Sequence, residues 1–119
     1  MSGENLMDDN MKEYLNSVNK TFKTLGKKNP EAIKGFRKFM DAVKRDGALS
    51  AKMKELIGIA LSVQNHCKHC VSFHVKKALD KGATEDEIIE ACMTAITLGG
   101  GPSLMFTSYV LKAIKDFQK

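Results

Sequence analysis

Apolar residues recur at spacings of three and four along most of the chain, the period of a helix buried on one side, and no stretch alternates as a strand would. Between residues 5 and 25 the set Leu6, Met7, Met11, Tyr14, Leu15, Val18, Phe22 and Leu25 predicts a first helix, with Gly26 as its terminator. The stretch NPEAIKGFRKFMDAVKRDG predicts a second. Asn29 is its N-cap, Pro30 takes the first helical position and Gly47 closes it, with Ile33, Phe36, Phe39, Met40 and Val43 as its apolar stripe. A third helix, about residues 50–64, is apolar nearly all round its wheel and is expected to be central and buried. A fourth is expected over about 67–81, ended by Gly82. Thr84 and Glu87 have the spacing of a capping box and open a fifth, carrying Ile88, Ile89, Cys92, Ala95 and Ile96 up to GGGP. Pro102 then starts a sixth, with Leu104, Met105, Tyr109, Leu111, Ile114 and Phe117. The expected fold class is all-α, about six helices, in one domain spanning residues 1–119.

Composition narrows the setting. With 119 residues, 43% apolar and 28% charged, the chain suits a single-core globular domain. The longest apolar run, LIGIALSV, is too short to cross a bilayer, and the N-terminus lacks a basic-then-apolar signal pattern. The expectation is a cytoplasmic protein with no membrane association, in a reducing setting that disfavours a permanent structural disulfide. The net charge of +5 invites a nucleic-acid reading. Its lysines, however, are interspersed with acidic residues and cluster only in pairs (Lys27-Lys28, Lys76-Lys77), so the pattern fits a solvated surface and no nucleic-acid partner is expected. The glycines at 99–101 follow a helix and lack the Lys and Ser/Thr of a phosphate-binding loop; they read as a helix break.

The chemistry concentrates in QNHCKHCVSFH, residues 64–74, which holds two of the three cysteines and all three histidines. On a helix Cys70 lies one turn from both Cys67 and His74. Two cysteines three apart in a first turn bring their Cα atoms to about 5–6 Å, within disulfide range. The unpaired N–H groups and dipole of that turn favour thiolate. His74 adds a base. Glu55 falls on the apolar third helix, with Gly58 and Ser62 along the same side as small residues that permit close approach of the fourth. A carboxylate so placed needs a partner, and His74 is the candidate. Glu55, His74, Cys70 and Cys67 together read as a proton relay feeding a redox dithiol. The rival reading is a metal module with Cys67, Cys70 and His74 as ligands and His66 or His69 as the fourth. No second Cys/His pair elsewhere closes such a site, and no metal or other cofactor is expected. Cys92, alone on an apolar stripe, reads as core.

The spacing of Glu55, Cys67, Cys70 and His74, with eleven, two and three residues between them, resembles that of the alkylhydroperoxidase AhpD-like proteins of the carboxymuconolactone decarboxylase superfamily. The histidine preceding the second cysteine in that pattern is matched by His69, and similarity extends over roughly residues 31–117. The resemblance implies an all-α fold and a homo-oligomer, trimer or hexamer. It also implies a thiol peroxidase activity, in which one cysteine attacks a hydroperoxide substrate and the other resolves it. Regeneration would fall to a dithiol reductant such as a lipoylated or thioredoxin-like protein. The chain is shorter than the two-repeat alkylhydroperoxidase and looks like a single-unit member. A decarboxylase-type enzyme, a general dithiol-disulfide oxidoreductase and a non-enzymatic metal-binding module are the alternatives; the cysteine pair argues against the decarboxylase branch.

Overall fold

The computed structural model describes residues 9–118, and among them there are five helices and no strand. Leu6 and Met7 of the expected first helix lie outside the described residues. Helix α1 (Met11–Lys28) starts at Asn10, whose side chain accepts the Lys12 N–H, and runs two residues past Gly26. Its terminator is Asn29, which serves two helices: its N–H donates to Leu25 O at 2.8 Å, and its side chain accepts the Ala32 N–H opening α2 (Pro30–Val43). The Pro30 start is as expected, but α2 stops four residues before Gly47. Past that end the ammonium of Lys54 donates to the carbonyls of Val43 and Arg45 at 2.8 and 2.7 Å, satisfying acceptors that the helix leaves open.

Helix α3 (Ala51–Gln64) is capped by Ser50 and α4 (Lys68–Asp80) by Cys67. Helix α5 (Glu85–Phe117) opens on the Thr84–Glu87 capping box, with both reciprocal bonds formed. The expected fifth and sixth helices are its two arms. One residue, Gly100 at φ 63° and ψ −145°, breaks the helical path between them, and Pro102 follows without an N–H to return to the turn before. Joined in this way, α5 is long and apolar enough, by length and composition alone, to cross a membrane; 22% of that apolar stretch is buried within the chain.

The core lies where α3 and α4 pack on the two arms of α5. Ile59, Val63, Val71, Val75, Ile88 and Val110 are fully buried there, each worth about 1.5–3 kcal/mol of transfer free energy. Helix α1 joins through buried Met11, whose N–H donates to Asp116 at 3.0 Å and whose carbonyl accepts from the Ser72 hydroxyl. Helix α2 packs along α1 and buries no residue of its own. Nor is α3 enclosed as its wheel suggests: Met53, Ile57 and Leu61 are 44, 41 and 56% exposed.

Candidate active site

Helix α3 ends in a turn that delivers the first cysteine. His66 takes the left-handed conformation (φ 54°), its N–H donates to Val63 O, and the Cys67 N–H donates back to Ser62 O at 3.0 Å. This is the paired bonding of a Schellman motif, with histidine where glycine is commonest. Cys67 emerges extended as the N-cap of α4, and its sulfur accepts the Cys70 N–H at 3.1 Å. The cysteines are joined as a disulfide, with Cα atoms 5.2 Å apart. The pair therefore sits on the first turn of α4, at the positive end of its dipole.

One turn on, His74 meets α3. Its Nδ1 lies 2.8 Å from Oε1 of Glu55, which is 2% exposed. Because the carboxylate can only accept, Nδ1 carries the proton and Nε2 is left as the basic nitrogen. Gly58 makes this approach possible: a Cβ there would stand 2.6 Å from His74 Nδ1. Ser62 turns its hydroxyl back to Gly58 O and leaves the same face low.

A third group completes the cluster, and the sequence reading did not find it. Lys44, the C-cap of α2, places its ammonium 3.0 and 2.9 Å from the two Glu55 oxygens and 3.5 Å from His74 Nδ1. Burial pushes the Glu55 carboxyl toward the neutral form. Hydrogen bonds from His74 and Lys44, with the charge of Lys44, outweigh that and hold it below the usual glutamate value. The demand that a buried carboxylate be satisfied was legible, and its second donor was the missing part.

Two grooves reach Cys70 and His74. One, of about 350 Å³, runs between the α2 end and α3 past Lys44, Ile57, Gly58 and Leu61 to Cys70 and His74. The other, of about 280 Å³, is bounded by Val18, Phe22, Phe36, Met40 and Phe73, and also reaches Cys70, His74 and Lys44. Cys70 lines both grooves and Cys67 lines neither. His69 borders the second groove and sets its ring edge-on to Tyr14 at 5.0 Å, while His66 lies against Phe106 at 5.2 Å. His66 thus lies apart from the groove that His69 and His74 share, and among the described residues no group of three or more His, Cys, Asp or Glu is arranged to hold a metal ion. Cys92 is buried and free, its thiol pushed up to about 11 by burial against a smaller opposing effect of the Thr107 hydrogen bond.

Comparison with known proteins identifies the family and the fold. The sequence model of the carboxymuconolactone decarboxylase family matches residues 30–113. An uncharacterised protein of Cupriavidus necator is 40% identical over 105 residues, which cover 88% of this chain and 93% of that one. The crystal structure of an apo carboxymuconolactone decarboxylase family protein from Legionella pneumophila superposes with a TM-score of 0.89 at 35% identity, covering 94% of this chain and all of that one. A family protein from Thermotoga maritima, 24% identical over 89% of this chain and 90% of its own, shares the fold with a TM-score of 0.78. The chain belongs to the carboxymuconolactone decarboxylase family, in the alkylhydroperoxidase-like superfamily, whose members are oxidoreductases or decarboxylases.

Proposed function

We propose that the protein is a thiol-dependent peroxidase that reduces hydroperoxides through Cys67 and Cys70, with Glu55 and His74 as its proton relay. The observation that carries this reading is the Nδ1-to-carboxylate bond of 2.8 Å, which leaves Nε2 basic one helical turn from a cysteine already paired with its neighbour. Nε2 takes the Cys70 proton. The thiolate attacks the terminal peroxide oxygen, the O–O bond breaks, and Cys70 becomes sulfenic acid while the departing alkoxide regains a proton from the imidazolium. The Cys67 thiol then displaces hydroxide from that sulfur, giving the disulfide and water. A dithiol reductant returns both electrons through a mixed disulfide. Cys70 is the attacked sulfur in this last step because it faces both grooves, and Cys67 leaves as a thiolate stabilised by the N–H it already accepts. Glu55, held below the usual glutamate range, stays anionic; it fixes the tautomer of His74 and stabilises the imidazolium. His69 borders the groove through which substrate or reductant would reach Cys70.

The reductant would be a lipoylated or thioredoxin-like protein, the assembly a homo-oligomer, trimer or hexamer, and the location the cytoplasm. The family also contains decarboxylases, and a general dithiol-disulfide oxidoreductase could use the same cysteines. What supports the peroxidase reading is that Cys70, paired with Cys67, lines two grooves together with His74, so that a small hydroperoxide could meet thiol and base in one place. The test is hydroperoxide consumption driven by a small dithiol. The unaltered protein should turn over, and Cys70→Ser should not at any pH. Reduction of disulfides without consumption of peroxide would favour the general oxidoreductase instead.

A further inference from the structure

We propose that Lys44 is a positioning residue of the relay: by sharing the negative charge of Glu55, it keeps His74 neutral and ready to accept a proton. The inference rests on the peroxidase reading for its catalytic consequence, but not for its geometry. A buried carboxylate with histidine as sole partner would favour a doubly protonated ring, since the pair then becomes an ion pair out of water. Such a ring already carries its second proton and cannot take one from Cys70. Lys44 alters that balance twice. It donates to both Glu55 oxygens, at 3.0 and 2.9 Å, so the charge of the anionic carboxylate is already balanced. It also stands 3.5 Å from His74 Nδ1, where a positive ring would meet another positive charge.

The placement is built into the chain. Lys44 caps the carboxyl end of α2, where a cation also complements the helix dipole, and its ammonium lies over the Phe73 ring at 5.8 Å. The other charged or titratable groups around Glu55, Lys44 and the grooves are Asp41 on α2, Arg45 and Asp46 in the turn after it, Lys54 on α3, His69 and Lys77 on α4, and Lys81 at its end, besides Cys70 itself when reduced. Of these, none makes a side-chain hydrogen bond or ion pair with His74 or Glu55, and neither α1 nor α5 contributes a charged residue to the lining of the two grooves that reach Cys70. Glu55 and Lys44 therefore set the charge state of the ring between them.

The test follows the imidazole nitrogens of His74 by NMR across pH in the disulfide form, where no thiol titrates beside the ring. Variants His66→Gln and His69→Gln assign the signals. Replacing Lys44 by Met should move the midpoint of the ring's protonation upward by about one pH unit or more, whereas Lys44→Arg should leave it near that of the unaltered chain. If Lys44→Met does not fold, Lys44→Gln keeps a neutral donor in the same place and should show the same upward shift. In peroxide turnover the acid limb of the rate profile should move with the ring, with up to roughly tenfold lost at neutral pH and recovered about one unit higher. A midpoint unchanged or lowered in both neutral variants would overturn the role given to Lys44. Absence of peroxide turnover in the unaltered protein would instead overturn the peroxidase reading, while the ring titration would still decide the role of Lys44.

Discussion

A methyl group added at Gly58 would stand 2.6 Å from His74 Nδ1 and within 2.9 Å of the ring carbons, so the imidazole would have to swing away from Glu55. Gly58→Ala should therefore act on chemistry as well as packing. Overpacking of this kind typically destabilises by about 1–3 kcal/mol, and turnover should fall further than that loss accounts for. A denaturation midpoint and a rate measured on one preparation check both. Glu55→Gln separates charge from shape, because the two side chains are nearly isosteric. Losing the anion should reduce peroxide turnover at neutral pH by about 10²–10⁴-fold, with much of the rate restored at high pH, where hydroxide generates thiolate unaided. A Glu55→Gln enzyme with unchanged activity from about pH 6 to 9 would leave a bare dithiol. The same carboxylate carries a pH signature in stability. Its native pKa lies below the ordinary value of 4.5, so its contribution is complete above that value and is lost as pH falls through the lowered one. Acid titration of unfolding should show that loss in the parent and not in Glu55→Gln. The pairing of Glu55 with His74 could be read from the sequence because a carboxylate on an apolar helix must find a partner. Lys44 could not, since the turn between α2 and α3 sits between it and Glu55 and no helical spacing links the two.

Helix ends show where pattern reading succeeds and where it fails. The Thr84–Glu87 box and the Asn29–Pro30 start are local devices, complete within four residues, and both stand as the sequence implied. Glycine is a stop signal when the backbone turns left-handed there: Gly82 (φ 87°) and Gly100 (φ 63°) do so, whereas Gly26 sits inside α1 and Gly47 lies beyond the end of α2. The turn at residues 65–67 uses His66 for that role, which no composition rule would single out. Alanine at the two kinds of glycine should therefore have opposite effects. Gly100→Ala places a Cβ on a residue at positive φ and extended ψ, a region almost confined to glycine, at a cost of about 1–3 kcal/mol. Gly26→Ala meets only Ile33 at 3.8 Å and should stabilise by up to about 1 kcal/mol. Thermal or denaturant unfolding of the two variants checks the signs. The break between the arms of α5 was legible from GGGP, and the two helices expected there meet across a kink; that Gly100 alone carries the kink was not legible, because any of the three glycines could have taken it.

At the scale of the whole molecule, apolar surface remains uncovered. Phe36, Phe39, Val43, Met53, Ile57, Leu61, Leu98 and Met105 are each more than 40% exposed. The radius of gyration, 14.9 Å, exceeds the about 13.5 Å expected for a compact chain of this length. We expect these faces to be buried between copies, as a trimer or hexamer, and sedimentation at micromolar concentration should give that mass; a monomer would sink the expectation. The all-α class and the cysteine site followed from periodicity and spacing, but the exposure of α2 and of one side of α3 did not, since a wheel shows that a face is apolar and not what covers it. The central claim concerns electrons, and thiol counting tests it most directly. The reduced chain carries three thiols. After an equimolar organic hydroperoxide the account predicts loss of two, a disulfide mapping to Cys67 and Cys70, and Cys92 still free. Retention of all three thiols, or oxidation that falls on Cys92, would contradict it.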